Sequence, residues 1–334
     1  MEEARAAPSF AEFSLYLWRL SRPEVWYFSW VPMFVGYLLG SRELVPGVDV
    51  WVAFFHEAAT QGATLAAFVA AARTWILENW RFVVASLVMG PLLWTATLLI
   101  NDVHDLAGDR ANPRKARSPL VQGLVDRGWA HRASYVFAGL SLLVAAPVGI
   151  PFLLLTGGCV VLAWLYSAPP VRLKTVPGAD VALNVLGGGV LAGLAGWSLA
   201  APLSEAPYVF LPQALLVGAA AYIPTALVDY EADRAVGYTT IATKLGPKNS
   251  FRVGFTFWIL GNLGSLVLAY NDWIIPSRMV PLLLLFDPIL VVEYWVLIGR
   301  ARSPEEMLRG ITICSLTFLA VNAAFALMYT GWWI

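Results

Sequence analysis

The densest chemistry in the chain lies in Asn101-Asp102-Val103-His104-Asp105-Leu106-Ala107-Gly108-Asp109-Arg110. Asn101, Asp105 and Asp109 are spaced i, i+4, i+8. On a helix this places them along one face, drifting about 40° and rising about 6 Å per step. A second patch, Asp229-Tyr230-Glu231-Ala232-Asp233-Arg234, repeats the i, i+4 carboxylate spacing. Hard oxygen donors in this arrangement suit Mg²⁺, which keeps several waters and is completed by substrate phosphate. Solvated charge where a helix leaves a membrane explains either patch alone; two matched patches, each beside basic residues, favour a metal–phosphate site. Four ionised aspartates and a diphosphate of about −3 outweigh two Mg²⁺ ions, and like charges 4 Å apart repel by about 4 kcal/mol at an effective dielectric of 20. Cations must therefore hold the phosphate. Arg22, Arg117, Arg172, Lys174 and Lys244 are the candidates, although each alone also reads as an interfacial topology determinant.

The elements that position these residues follow from composition. The chain has 334 residues, of which 59% are hydrophobic and 13% charged, with 15 Trp and a net charge of +0. That composition excludes disorder and a secreted disulfide scaffold. The lack of a basic excess argues against nucleic-acid partners. Cys159 and Cys314 sit inside apolar runs without ligand spacing and read as packing residues. The Met1-Glu2-Glu3 opening lacks the basic start of a cleavable signal, so the expectation is one mature polytopic domain over 1–334.

A helix needs about 20 mostly apolar residues to cross the hydrocarbon core. Nine stretches meet that need, near 24–41, 82–101, 130–148, 151–168, 180–202, 208–228, 252–270, 279–298 and 310–330. Continuous hydropathy rather than alternation favours a helical bundle over a barrel. With the N-terminus in the cytoplasm, only Arg42, Arg73, Arg81 and Arg278 of the 22 basic residues fall on the far side, as the positive-inside rule requires. Both acidic patches then sit at cytoplasmic span ends and can face one cavity. Residues 43–79 are long and partly apolar but interrupted by His56, Glu57, Arg73 and Glu78. A tenth span there would invert the charge asymmetry, so this segment is expected to be an extracytoplasmic or interfacial insertion. Asp287 and Glu293 fall inside the eighth span, where charge is costly. They read either as acceptor-side hydrogen-bonding or basic groups, or as neutral structural acids.

These residues resemble the UbiA superfamily of intramembrane prenyltransferases. That family's first motif, Asn-Asp-x-x-Asp-x-x-x-Asp, is matched by Asn101, Asp102, Asp105 and Asp109. Its second, Asp-x-x-x-Asp, is matched by Asp229 and Asp233, followed by Gly237 and the Thr240–Gly246 stretch. Tyr166-Ser-Ala-Pro-Pro-Val-Arg-Leu-Lys174 is similar to the family's tyrosine-plus-basic motif, and Arg22-Pro23 also fits. Two departures stand out. Ser118 occupies a position where many members carry Arg, with Arg117 one residue earlier, and Pro169-Pro170 displaces the basic residue so that Arg172 and Lys174 compete for its role.

The resemblance implies an all-α membrane protein of nine transmembrane helices around a central lipid-open cavity with a cytoplasmic cap. Asn101, Asp105, Asp229 and Asp233 would hold two Mg²⁺ ions, with Asp109 beside them and Lys174 in the catalytic set. Arg22, Arg117, Arg172 and Lys244 would contact the donor's diphosphate. Tyr166, Tyr222 and Trp94 would offer aromatic faces to an allylic cation, or else simply pack. The implied reaction moves a polyprenyl group from its diphosphate to a lipophilic acceptor (aromatic, quinone-precursor, tetrapyrrole or other lipid), among the lipids of a bacterial cytoplasmic membrane. The rival within the fold is a terpene cyclase that needs no acceptor. A transporter of anionic lipids is a rival of another class, but the chain shows no convincing internal repeat.

Overall fold

The computed structural model describes residues 10–332, whose regular structure is all helical, with no strand among them. The bundle opens with α1 (Phe10–Ser21) and α2 (Tyr27–Ser41). Between them Arg22 adopts a left-handed conformation (φ 44°) and Pro23 starts a new turn. The break suits Pro, whose fixed φ and missing N–H cost nothing at a helix start. A helical hairpin follows, α3 (Val48–Gln61) and α4 (Leu65–Glu78). Trp51 joins its two arms through ring contacts with Phe68 and Trp75. Neither arm reaches 18 residues, so residues 43–79 contain no span of full length.

The remaining elements are α5 (Trp80–Ala111), α6 (Arg127–Ala145), α7 (Ile150–Ser167), α8 (Ala179–Trp197), α9 (Tyr208–Val228), the short α10 (Tyr230–Ala235), α11 (Ile241–Tyr270), α12 (Ser277–Ile298) and α13 (Pro304–Tyr329). Among the described residues, seven helices are long and apolar enough to cross a membrane: α5, α7, α8, α9, α11, α12 and α13. Each of the nine expected stretches overlaps a helix, although 180–202 runs five residues past the end of α8 at Trp197, and two of the helices fall short of that standard. The regular part of α2 has 15 residues, and α6 begins with Arg127, His131 and Arg132, which dilute its apolarity.

Close helix approaches fix the bundle where it matters for the site. A Cβ on Gly36 would lie 1.8 Å from the Gly193 carbonyl oxygen, and one on Gly196 would lie 1.8 Å from that of Met33. Backbones of α2 and α8 therefore touch, as small residues permit between membrane helices. Gly254, Gly261 and Gly264 of α11 similarly admit Ile223, Val217 and Gln213 of α9. This antiparallel pair brings the end of α9, with Asp229, beside the start of α11. Gly90 receives the Trp30 ring within a π turn of α5.

Asp287 shares its face of α12 with the buried Leu283 and Leu290. One of its carboxylate oxygens has no partner. Glu293 accepts a 3.0 Å hydrogen bond from Thr317 Oγ1 and leaves its second oxygen unpartnered. An apolar groove of about 290 Å³ lies between α2 and α5, lined by Trp30, Met33, Phe34, Phe82 and Ser86. Ser86 is about four helical turns from Asn101, so this groove is separate from the carboxylates.

Candidate active site

The last turns of α5 present the first acidic patch. Asp102 is 1% exposed, and both of its oxygens accept from Arg22 Nη2 at 2.6 Å. The left-handed backbone at Arg22 turns its side chain onto this partner. After α5, Asn112 caps a short 3-10 turn, Pro113–Lys115, by accepting from Arg114 N at 3.0 Å. That turn sends neighbouring cations in two directions. Lys115 Nζ reaches Asp109 at 3.6 Å and Asp102 at 3.8 Å. Arg114 Nη2 crosses to the second patch and donates to Asp229 Oδ1 at 2.7 Å.

The segment after α7 supplies a third set of groups. Arg172 is also left-handed (φ 44°). Its Nη2 donates to Asp105 Oδ1 at 2.9 Å and to the Tyr238 hydroxyl at 3.1 Å. Its guanidinium lies 4.9 Å from the Tyr238 ring centroid, a cation–π geometry. Lys174 is buried; its Nζ donates to Asn101 Oδ1 at 2.9 Å and pairs with Asp105. The two basic residues that compete in the sequence motif thus both hold Asp105. At the end of α7, the Tyr166 hydroxyl lies 3.0 Å from that of Tyr222 on α9.

The second patch forms where α9 breaks. Asp229 has φ −92° and ψ 1° and starts α10, and Asp233 N donates to Asp229 O at 2.9 Å. Tyr238 N in turn donates to Asp233 O at 2.9 Å. The i, i+4 relation read from the sequence is therefore kept on a short helix of its own. The two patches share one site: Arg114 links the loop after α5 to Asp229, and Arg172 links Asp105 to Tyr238, just beyond Asp233. Gly108 admits the Tyr238 hydroxyl, which would lie 3.0 Å from a Cβ there.

Electrostatics shows the strain of so many carboxylates. Asp233 is pushed up to about 7, first by burial and then by the negative charges of Asp229 and Asp105, with Lys174 opposing. Lys174 is pushed down by burial, while Asp105 pulls it back up. Among the described residues, no three acidic, imidazole or thiolate groups converge as a ready-made metal cage; arginine and lysine nitrogens neutralise the carboxylates instead. The donor set nonetheless fits a hard divalent cation, being all oxygen and holding negative charge that Asp233 sheds by keeping its proton near neutrality.

Two expected phosphate ligands stand apart. Arg117 and Lys244 are exposed, and neither forms an ion pair with the patches among the described residues. The backbone carbonyl of Arg117 accepts from Arg19 Nη2 at 2.7 Å. Trp94 donates to Ser29 Oγ at 2.7 Å, which gives it a packing partner between α5 and α2. Arg114, Lys115 and Tyr238 are site residues that sequence reasoning passed over. The first two were visible only as members of a basic run, and Tyr238 only by its place between Gly237 and Thr240.

Comparison with known proteins extends this picture. The model of the UbiA prenyltransferase family matches residues 61–316. A lycopene elongase/hydratase from Haloarcula japonica is 29% identical over 180 residues, covering 52% of this chain and 57% of that protein. The alignment thus spans little more than half of that relative. The chloroplastic homogentisate solanesyltransferase of Arabidopsis thaliana is 27% identical over 255 residues, covering 70% of this chain and 65% of that protein. A UbiA homolog from Archaeoglobus fulgidus, solved bound to GPP and Mg²⁺, superposes with a TM-score of 0.68 at 24% identity, covering 95% of this chain and 99% of that one. That likeness is one of fold.

Proposed function

The chain belongs to the UbiA prenyltransferase family, and from that premise we propose that it is a Mg²⁺-dependent intramembrane enzyme moving a polyprenyl group from its diphosphate to a lipophilic acceptor. The observation that carries this reading is the meeting of two acidic patches, 120 or more residues apart in the chain, at one site lined by Arg22, Arg114, Lys115, Arg172 and Lys174. Relatives that act on prenyl chains and a fold neighbour bound to GPP and Mg²⁺ support it.

Asn101, Asp105, Asp229 and Asp233 would hold the metal, with two ions as the proposed number and Asp109 beside them. Bound Mg²⁺ supplies Lewis acidity to the leaving diphosphate oxygens. The chain's own groups do the rest. Arg114, Arg172 and Lys174 are held on carboxylates within reach of a shared headgroup, and they transfer to phosphate oxygens when it enters, giving charge-assisted hydrogen bonds. Arg22 is fixed by Asp102 and supplies a constant positive field on the same side. The half-buried Tyr166–Tyr222 pair presents aromatic faces to developing positive charge, and the apolar walls around it keep water away from a reactive carbocation.

The membrane reading takes α2 and α6 as spans beside the seven helices that are long and apolar enough to cross a membrane, giving nine around a lipid-open cavity in a single domain. Tight packing of α2 on α8 supports this count. In the proposed topology the N-terminus and the site face the cytoplasm, and the α3–α4 hairpin lies outside or at the outer interface, in a bacterial cytoplasmic membrane. The test is incubation of purified protein with Mg²⁺ and a ladder of C10, C20 and longer diphosphates, with and without membrane lipid extract. The expected result is metal-dependent diphosphate release and a prenylated lipid. Cyclised product from donor alone would replace transfer with cyclisation, and no release with any donor would refute the enzyme reading.

A further inference from the structure

The segment carrying Arg172 and Lys174 and the segment carrying Asp233 are fastened together by a carboxylate that none of the roles above uses. Asp180, in the first turn of α8, is 1% exposed. Its Oδ1 accepts from Gly178 N at 2.8 Å and its Oδ2 accepts from Ile241 N at 2.9 Å. The first bond closes the Lys174 loop onto α8, and Gly178 permits it with a φ of +90°, a region other residues rarely adopt. The second bond spans 61 positions of sequence.

Ile241 is the first residue of α11, where helix N–H groups lack intrahelical partners. Thr240 caps this helix by accepting from Thr243 N, which leaves the Ile241 N–H for Asp180. Asn184 Nδ2 donates to the Asp180 carbonyl at 2.8 Å, bracing the turn that carries the carboxylate. A second tie runs parallel, from Arg172 to the Tyr238 hydroxyl. The two ties bracket the site: one joins the basic arm to the residue after the second patch, the other joins the same arm to the helix that follows.

We infer that Asp180 is a positioning residue that sets the separation between the Arg172–Lys174 arm and the Asp229–Asp233 patch. Phosphate-binding cations and metal-binding carboxylates then close on a diphosphate as one unit. The inference rests on the diphosphate reading above. A carboxylate suits the task because each oxygen serves a different N–H. An amide of the same shape would turn its own NH₂ toward one of them.

Two substitutions cut the long tie from opposite ends. Asp180→Asn changes the acceptor, and Ile241→Pro removes the donor. Proline is tolerated at a first helical position, and Thr240 already has the extended conformation (φ −92°, ψ 173°) required before it. Ile241→Val keeps the N–H and controls for the side chain. The measurement is Mn²⁺ binding in the presence of inorganic pyrophosphate, read by the loss of free-ion EPR signal, alongside metal-free melting temperature. The expected result is affinity weakened about tenfold in each single variant, the size of one charge-assisted hydrogen bond. The double variant should lose no more than about a further twofold, since both changes remove one interaction. Wild-type affinity in Ile241→Pro, or losses that multiply in the double variant, would overturn the inference. Should Asp180→Asn not fold, Ile241→Pro against Ile241→Val decides alone. Failure of the wild-type protein to bind Mn²⁺ and pyrophosphate would instead overturn the diphosphate reading itself.

Discussion

Replacing Arg114 by Gln separates a stabilising role from a chemical one. Its guanidinium pairs with Asp229 at 2.7 Å, but the two side chains are 36% and 40% exposed. An exposed pair of this kind contributes about 0–1 kcal/mol to stability, which for a chain of this size moves the melting temperature by about 3 °C or less. The consequence for catalysis differs. If Arg114 passes from Asp229 to the departing diphosphate, the lost bond is charge-assisted and strengthens as charge develops, worth about 2 kcal/mol or a thirtyfold fall in turnover. The assay is Mg²⁺-dependent diphosphate release from a prenyl diphosphate, with saturating acceptor extract and parallel thermal melts. A nearly unchanged melt with turnover down by that order is the expected pair of results. Turnover within threefold of wild type would refute the transfer of Arg114 to the phosphate and leave it a surface ion pair.

Other substitutions test other parts of the site. Asp105→Ala or Asp229→Ala should abolish turnover while inserted protein stays at near-normal level, measured by activity and membrane yield; more than a tenth of wild-type rate in either would refute the two-patch assignment. Asp233 is held near 7, well above the usual carboxylate range, so its neutral form persists through mild acid and only the ionised form binds metal. Half-saturating Mg²⁺ should therefore fall as pH rises from 6 to 8, and a flat profile would show that Asp233 does not bind the ion. Because that proton is held more tightly folded than unfolded, the group's contribution to metal-free stability should weaken as pH rises from about 4 through 7. Asp102→Asn should destabilise the protein, because Asp102 is the buried counter-ion of Arg22 and breaking a buried pair costs about 3–5 kcal/mol; an unchanged melt would contradict that role.

The parts of this site that were legible in sequence are those governed by short-range periodicity. Asn101, Asp105 and Asp109 repeat every fourth residue at the end of an apolar run, and hydropathy alone fixes where that run ends. The different fate of Asp102 follows from the same geometry, since it lies about 100° around the helix from Asn101, and so toward Arg22 instead of the shared site. Pairing across the chain was not legible. Arg114, Lys115 and Arg117 are equivalent members of one basic run, and only the Asn112-capped turn sends Arg114 to Asp229 and leaves Arg117 outside. Lys244 looks like a phosphate ligand by motif, yet it falls on the exposed side of the first turn of α11. Asp180 carries no sequence signal at all, because its partners are backbone N–H groups. Span lengths were blurred for α2 and α6, where Arg22-Pro23 and the Arg127–Arg132 cluster cut into the apolar stretches.

In the proposed reaction both acidic patches grip one metal-bound diphosphate, and a count of bound metal ions is the decisive test. Mn²⁺ titration of the purified protein with inorganic pyrophosphate should show two ions per chain, with binding weakened by Asp105→Asn and by Asp229→Asn alike. Binding that depended on only one of the two patches, or that ignored pyrophosphate, would rule out a shared diphosphate site.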